Sequence, residues 1–161
     1  MGSLKKLFSW LLVIMWMAMI FNLSGKPAAV SNEMSTGVTA MVIKVIERLA
    51  PGVDIDVVAF NQVVRKGAHL FVYLILGILV LNGFRSSGAH KIKGVYWALL
   101  ICVLYAISDE IHQVFVPGRG GQLRDVIIDS VGAVIGIGAY ARLWRIRDDA
   151  DRQEQLPSSV I

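Results

Sequence analysis

Four long apolar runs punctuate the chain, at about 7–23, 65–84, 95–115 and 126–144. Each is close to the roughly 20 residues that an α-helix needs to cross the hydrocarbon core of a bilayer. Between the first two runs the pattern changes. Val38, Met41, Val42, Val45, Ile46 and Leu49 recur at helical spacing, with Lys44, Glu47 and Arg48 on the opposite side. One apolar and one charged face predict an amphipathic helix at a membrane interface, beginning after Ser35-Thr36 and stopped by Pro51-Gly52. The same face would also suit packing over the mouth of a helix bundle. Gly25-Lys26-Pro27 reads as the linker into this helix, and Asp54 or Asp56 as the cap of an extension of the second run. The expected fold is all-α: an integral membrane bundle of four transmembrane helices plus an amphipathic interfacial helix. It forms one domain over residues 1–147, followed by a polar tail, 148–161, that is expected to fray.

Composition narrows the class. Hydrophobic residues make up 55% of the 161 positions and charged residues 17%, with a mean hydropathy of +0.61. That is too apolar for an ordinary soluble domain and leaves no room for a separate soluble enzyme. The net charge of +4 comes from basic residues flanking the apolar runs, which read as topology signals rather than a nucleic-acid surface. The first run exceeds the apolar stretch of an ordinary signal peptide and carries Trp10 and Trp16, which suits an anchored helix. Cys102 is the single cysteine, so no disulfide can form within the chain. It reads as a small residue inside the bundle or facing lipid. No internal repeat, P-loop, Gly-rich nucleotide motif or Cys-based metal motif is present, and no cofactor is expected.

Charge around the runs sets the expected topology. Lys5 and Lys6, then Arg85, Lys91 and Lys93, then Arg142, Arg145 and Arg147 flank the runs at one expected face, while Lys26, Lys44 and Arg48 count against the trend in the long first connection, where charge weighs less per residue. With four crossings this puts both termini in the cytoplasm and the connection carrying the amphipathic helix outside. Arg119 and Arg124 run against that trend in a short outer loop, which points to a task for them there. Three polar patches then fall at one depth. Arg65, Lys66 and His69 open the second run, Asp109, Glu110, His112 and Gln113 close the third, and Asp125 and Asp129 open the fourth. Their co-localisation survives inversion of the whole topology. Ionisable groups at membrane depth are costly and mark pairing, a wet cavity or function.

Helical spacing refines the patches. Arg65, His69 and Tyr73 form one stripe at i, i+4, i+8. Asp109, His112 and Gln113 share a face, from which Glu110 is turned by about 100°. Asp125 and Asp129 sit near a helix N-terminus, where the macrodipole favours negative charge. Pro117-Gly118 marks the turn after the third run. Gly132, Gly136 and Ala139 make a small-residue stripe for close helix approach.

Arg65-Lys66-x-x-His69-x-x-x-Tyr73, Ser108-Asp109-Glu110-x-His112-Gln113-x-Phe115-x-x-x-Arg119 and Asp125-x-x-x-Asp129-x-x-Gly132, in that order, resemble the VanZ-like family of small bacterial membrane proteins. The family is named for a teicoplanin-resistance accessory protein. The resemblance spans roughly residues 7–144, with its specific motifs between Arg65 and Gly132. It implies a multi-helix fold in the bacterial cytoplasmic membrane and, in some members, reduced susceptibility to glycopeptides that carry a lipid tail. It supplies no agreed activity and no catalytic residues.

The residues themselves admit several chemistries. Arg65, Lys66, Arg119 and Arg124 can bind an anion, and at the outer interface the natural anions are lipid headgroups, polyprenyl-linked phosphates among them. The expected site comprises Arg65, Lys66, His69, Tyr73, Asp109, Glu110, His112, Gln113, Arg119, Asp125 and Asp129. Its expected partner is a membrane lipid or lipid-linked anion, not nucleic acid. Alternatively the chain is a membrane enzyme hydrolysing or transferring a lipid-linked phosphate, with His69, Asp109 and His112 as catalytic candidates. A zinc or manganese site from His69, His112 and two carboxylates has suitable ligand types but not the spacing of a helical metal motif. A salt-bridge network that only locks the helices is the remaining alternative.

Overall fold

The computed structural model describes residues 2–154, with the side chains of residues 2–147. Five helices follow one another: α1 (Gly2–Ser24), α2 (Ala28–Leu49), α3 (Val57–Ser86), α4 (Lys91–Val114) and α5 (Leu123–Glu154). Among the described residues there is no strand. α1, α3, α4 and the Leu123–Arg147 part of α5 are long and apolar enough to cross a membrane, so the chain is a multi-pass membrane protein of four spans.

Local chemistry sets the helix ends. Asp56 caps α3, its carboxylate accepting from the backbone N–H groups of Val58 at 3.0 Å and Ala59 at 3.1 Å. Asp54, the other cap candidate, is not used. The cap lets α3 begin eight residues before the second apolar run. An Asp56→Ala variant is expected to lose about 1 kcal/mol of stability, read as a lowered unfolding midpoint in detergent. At its far end α2 stops at Leu49, before Gly52, whose φ of +92° breaks the helix.

Two expectations are corrected here. α2 begins at Ala28 rather than after Ser35-Thr36. Pro27 stands just before its first turn, and the Ser35 and Thr36 hydroxyls donate back to the Asn32 carbonyl within the helix. A Ser/Thr pair reads as a helix start in sequence, but the proline punctuates the chain earlier. The tail expected to fray from 148 instead continues α5 through Glu154, and residues 155–161 lie outside the described residues.

α3 is the central helix and packs against the other four. Its Tyr73, Leu76, Val80 and Leu81 form the core with Ala98, Cys102 and Ala106 of α4, and with Ala133 and Ile137 of α5. Gly94, Ala98, Cys102 and Ala106 recur every fourth residue and are all buried, so α4 lays a seam of small residues against its neighbours. The α3–α5 contact is closer still. A β-carbon on Gly132 or Gly136 would collide with the backbone of Leu70 or Leu74, and one on Gly77 would lie 2.6 Å from the Ala133 carbonyl oxygen. Ala139, placed in this stripe by the sequence pattern, is instead exposed, and the contact is completed by Gly77 and Ala133.

The helices alternate in direction. At one end Ser9 and Ser86 hydroxyls are 3.0 Å apart, Trp10 donates to Ser87, Tyr140 donates to Asn82, and Arg85 lies 5.2 Å from the Trp144 ring centre. The other end carries α2, which docks on the first turns of α3 through polar groups. Thr39 donates to Asn61 at 2.9 Å and Asn61 donates to Asn32 at 2.8 Å. Met41, Val42, Val45 and Leu49 of α2 remain exposed.

Candidate functional site

The polar patches converge at the α2 end. Lys66 Nζ lies 3.6 Å from Asp125 Oδ1, and His69 Nδ1 lies 3.5 Å from Asp129 Oδ1. Both pairs link α3 to α5 because the glycines of α5 bring the two backbones together one turn below. On α4, Asp109 Oδ2 accepts from the Ser24 hydroxyl of α1 at 2.8 Å and from Gln113 Nε2 at 3.2 Å. Gln113 Oε1 in turn accepts from Arg119 Nη1 at 2.9 Å, so one relay ties α1, α4 and the α4–α5 loop together. Glu110, turned away from Asp109 as its spacing requires, accepts from the backbone N–H of Gln122 and anchors the same loop.

Burial makes this arrangement consequential. Asp129 is 1% exposed and Asp109 3%, too little for water to solvate a carboxylate, so their partners must. Tyr73 is fully buried, and its hydroxyl has no hydrogen-bond partner among the described residues. The same holds for Asp109 Oδ1, Glu110 Oε2 and His112 Nδ1. A lost partner costs about 1–3 kcal/mol per buried group, so such a concentration at one end marks a polar interior and not a sealed core.

Some expected groupings do not form. His112 stacks on Phe21 of α1, with ring centres 4.1 Å apart and planes at 15°. Its imidazole turns toward α1, while His69 pairs with Asp129. No group of three or more His, Cys, Asp or Glu side chains is placed to hold a metal ion among the described residues. The ligand set weighed from sequence is therefore not assembled. Arg124 is exposed and joins no ion pair among the described residues. Ser24 and Phe21, which hold Asp109 and His112, escaped the sequence reading. Their only signal was a polar residue ending the first apolar run at the depth of the other patches.

A cleft of about 480 Å³ opens between α1, α2 and α3 at this end. Arg65, His69 and Arg119 line it together with Ser24, Ser31 and Ser35. Neither arginine forms an ion pair among the described residues. Partial burial first, and then the like charge of Arg65, push the Arg119 guanidinium below its ordinary value.

The family model described as VanZ/LLP1 matches residues 8–145, most of the chain, from within the first span to within the fourth. The chain belongs to the VanZ/LLP1 family. Neither a curated protein nor a solved structure matches it. In this VanZ/LLP1 protein all three motif blocks meet at one end of the bundle. Each of the four carboxylates has a partner: Asp109 with Ser24 and Gln113, Glu110 with Gln122, Asp125 with Lys66, and Asp129 with His69. The two cleft arginines form no ion pair among the described residues.

Proposed function

We propose that this VanZ-like chain resides in the bacterial cytoplasmic membrane with both termini in the cytoplasm. Its polar end engages an anionic lipid or lipid-linked cell-wall molecule in the outer leaflet, and this engagement lowers susceptibility to teicoplanin-like lipoglycopeptides. The observation that carries the reading is the pair Arg65 and Arg119 at the cleft, both partly buried and both without an anionic partner among the described residues. An anion bridging them would relieve their repulsion and give each an ion pair, which neither forms among the described residues. The orientation rests on Lys5, Lys6, Arg85, Lys93, Arg142, Arg145 and Arg147 at the opposite end.

The test uses the full chain in phosphatidylcholine nanodiscs, titrated with short-chain phosphatidic acid. Arg65→Gln and Arg119→Gln are each expected to weaken binding by about tenfold or more. Unchanged affinity in both variants would sink the reading. In cells, any gain in lipoglycopeptide tolerance conferred by the chain is expected to disappear with the same variants.

One observation favours a second reading. His69 faces the cleft that holds both arginines, and Asp129 stands behind it. A carboxylate-oriented imidazole beside two guanidinium groups is an arrangement that could activate water toward a lipid-linked phosphate. Phosphate release from a polyprenyl phosphate by the purified chain, abolished by His69→Gln, would favour the enzyme. Binding without release favours the site described above.

A further inference from the structure

The cleft that holds the two arginines is built mostly of hydrocarbon. Apart from the two arginines, His69 and three serine hydroxyls, its walls are apolar and include Ile20 and Leu23 of α1, Met34 and Val38 of α2, and Phe71 and Val72 of α3. The polarity is graded along α3. From Arg65 to Val72 the helix rises about 10 Å, taking the wall from a cation to a β-branched aliphatic. A site for a free inorganic anion has no need of this second half.

The α2 contribution is independent of that grading. α2 is fastened to α3 by the polar trio Asn32, Asn61 and Thr39, so its apolar side chains are not consumed in docking. Met34 and Val38 stand over the cleft while remaining about half exposed, at 49% and 53%. Trp16 of α1 ties down the Val72 end of the cleft, its indole N–H donating to the Val72 carbonyl at 2.9 Å. A volume near 480 Å³ falls within the range of sites that enclose small-molecule ligands, roughly 300–1,000 Å³.

Building on the anion reading above, we propose that the occupant is a lipid phosphate monoester. Its head is held by Arg65 and Arg119, and its hydrocarbon chain lies between α1, α2 and α3 under Met34 and Val38. The head class follows from charge complementarity. Two guanidinium groups balance a phosphate monoester, which carries a charge of about −1.5 to −2 near neutral pH, better than they balance a singly charged diester. The chain class follows from the apolar walls, which gain by covering methylenes. α2 is then the cover of a ligand seat as well as a surface helix.

The experiment uses the full chain in phosphatidylcholine nanodiscs, with dodecyl phosphate, dodecyl methyl phosphate and inorganic phosphate as probes. Val38→Trp, which fills the cleft, is expected to weaken dodecyl phosphate binding by about tenfold while leaving inorganic phosphate unaffected. Arg65→Gln is expected to weaken both. If Val38→Trp leaves dodecyl phosphate binding intact while Arg65→Gln reduces it, the chain seat is overturned and the anion site stands. If neither variant matters, both readings fail. If Val38→Trp alone matters, the arginine head site fails. Equal affinity for the monoester and the methyl diester overturns the head class. A dodecyl phosphate carrying a diazirine at its chain end gives a readout that needs no variant. Adducts on Ile20, Phe71 or Val72 support the seat, and adducts confined to α4 or α5 overturn it.

Discussion

Replacing Gly136 with valine is expected to cost about 3 kcal/mol, at the upper end of ordinary overpacking, and to lower the unfolding midpoint in detergent more than any other single change on α5. The reason is what the new atoms would meet. A β-carbon there would run into the carbonyl oxygen, carbonyl carbon and Cα of Leu74, all backbone and none able to swing aside. Gly132 stands in the same relation to Leu70, and Gly77 returns the contact from α3 toward Ala133. In a membrane interior helices gain little from hydrophobic burial against one another, so close backbone approach carries much of their association. Gly138 is the internal control. It is exposed on the same helix with nothing within 4 Å of an added β-carbon, so Gly138→Ala is expected to be neutral or mildly stabilising, by up to about 1 kcal/mol. Equal midpoints for the Gly136→Val and Gly138→Ala variants would remove the argument. The effect reaches the site as well. Gly132 lies three residues from Asp129, so Gly132→Val is expected to part His69 from Asp129 as it parts α3 from α5.

The legible and illegible parts of this structure divide along a physical line. Apolar run length reports depth, so the four spans and the meeting of three polar patches at one end followed from the residues. Asp56 was legible as one of two caps because an aspartate before an apolar run has few other uses. Rotation about each helix axis was not legible, because it is set by the packing of neighbours. That is why His112 turns to Phe21, and why Ala139 falls on the exposed side of a stripe that Gly77 and Ala133 complete. The α2 start failed differently: two local signals competed, and proline, which removes a donor, outweighed a hydroxyl pair that a helix interior can absorb.

Asp109 is where stability and function can be separated. An Asp109→Ala variant is expected to lose about 2–4 kcal/mol, since it strands two buried donors, the Ser24 hydroxyl and the Gln113 amide, at about 1–3 kcal/mol each. It also frees Gln113 from one side, loosening the acceptor that holds Arg119. Asp109→Asn is expected to behave otherwise. Its amide oxygen can still accept from both Ser24 and Gln113, so stability should fall by no more than about 1 kcal/mol. The lost negative charge lies within electrostatic reach of Arg119, and a bound anion no longer feels its repulsion. Dodecyl phosphate affinity should therefore hold or rise by a few-fold. A Ser24→Ala, Asp109→Ala double-mutant cycle is expected to give a coupling of about 1–2 kcal/mol, the mark of a direct bond between α1 and α4. Additive effects would show instead that Ser24 and Asp109 act separately, and weaker anion binding in Asp109→Asn would show that the carboxylate serves the ligand and not the scaffold.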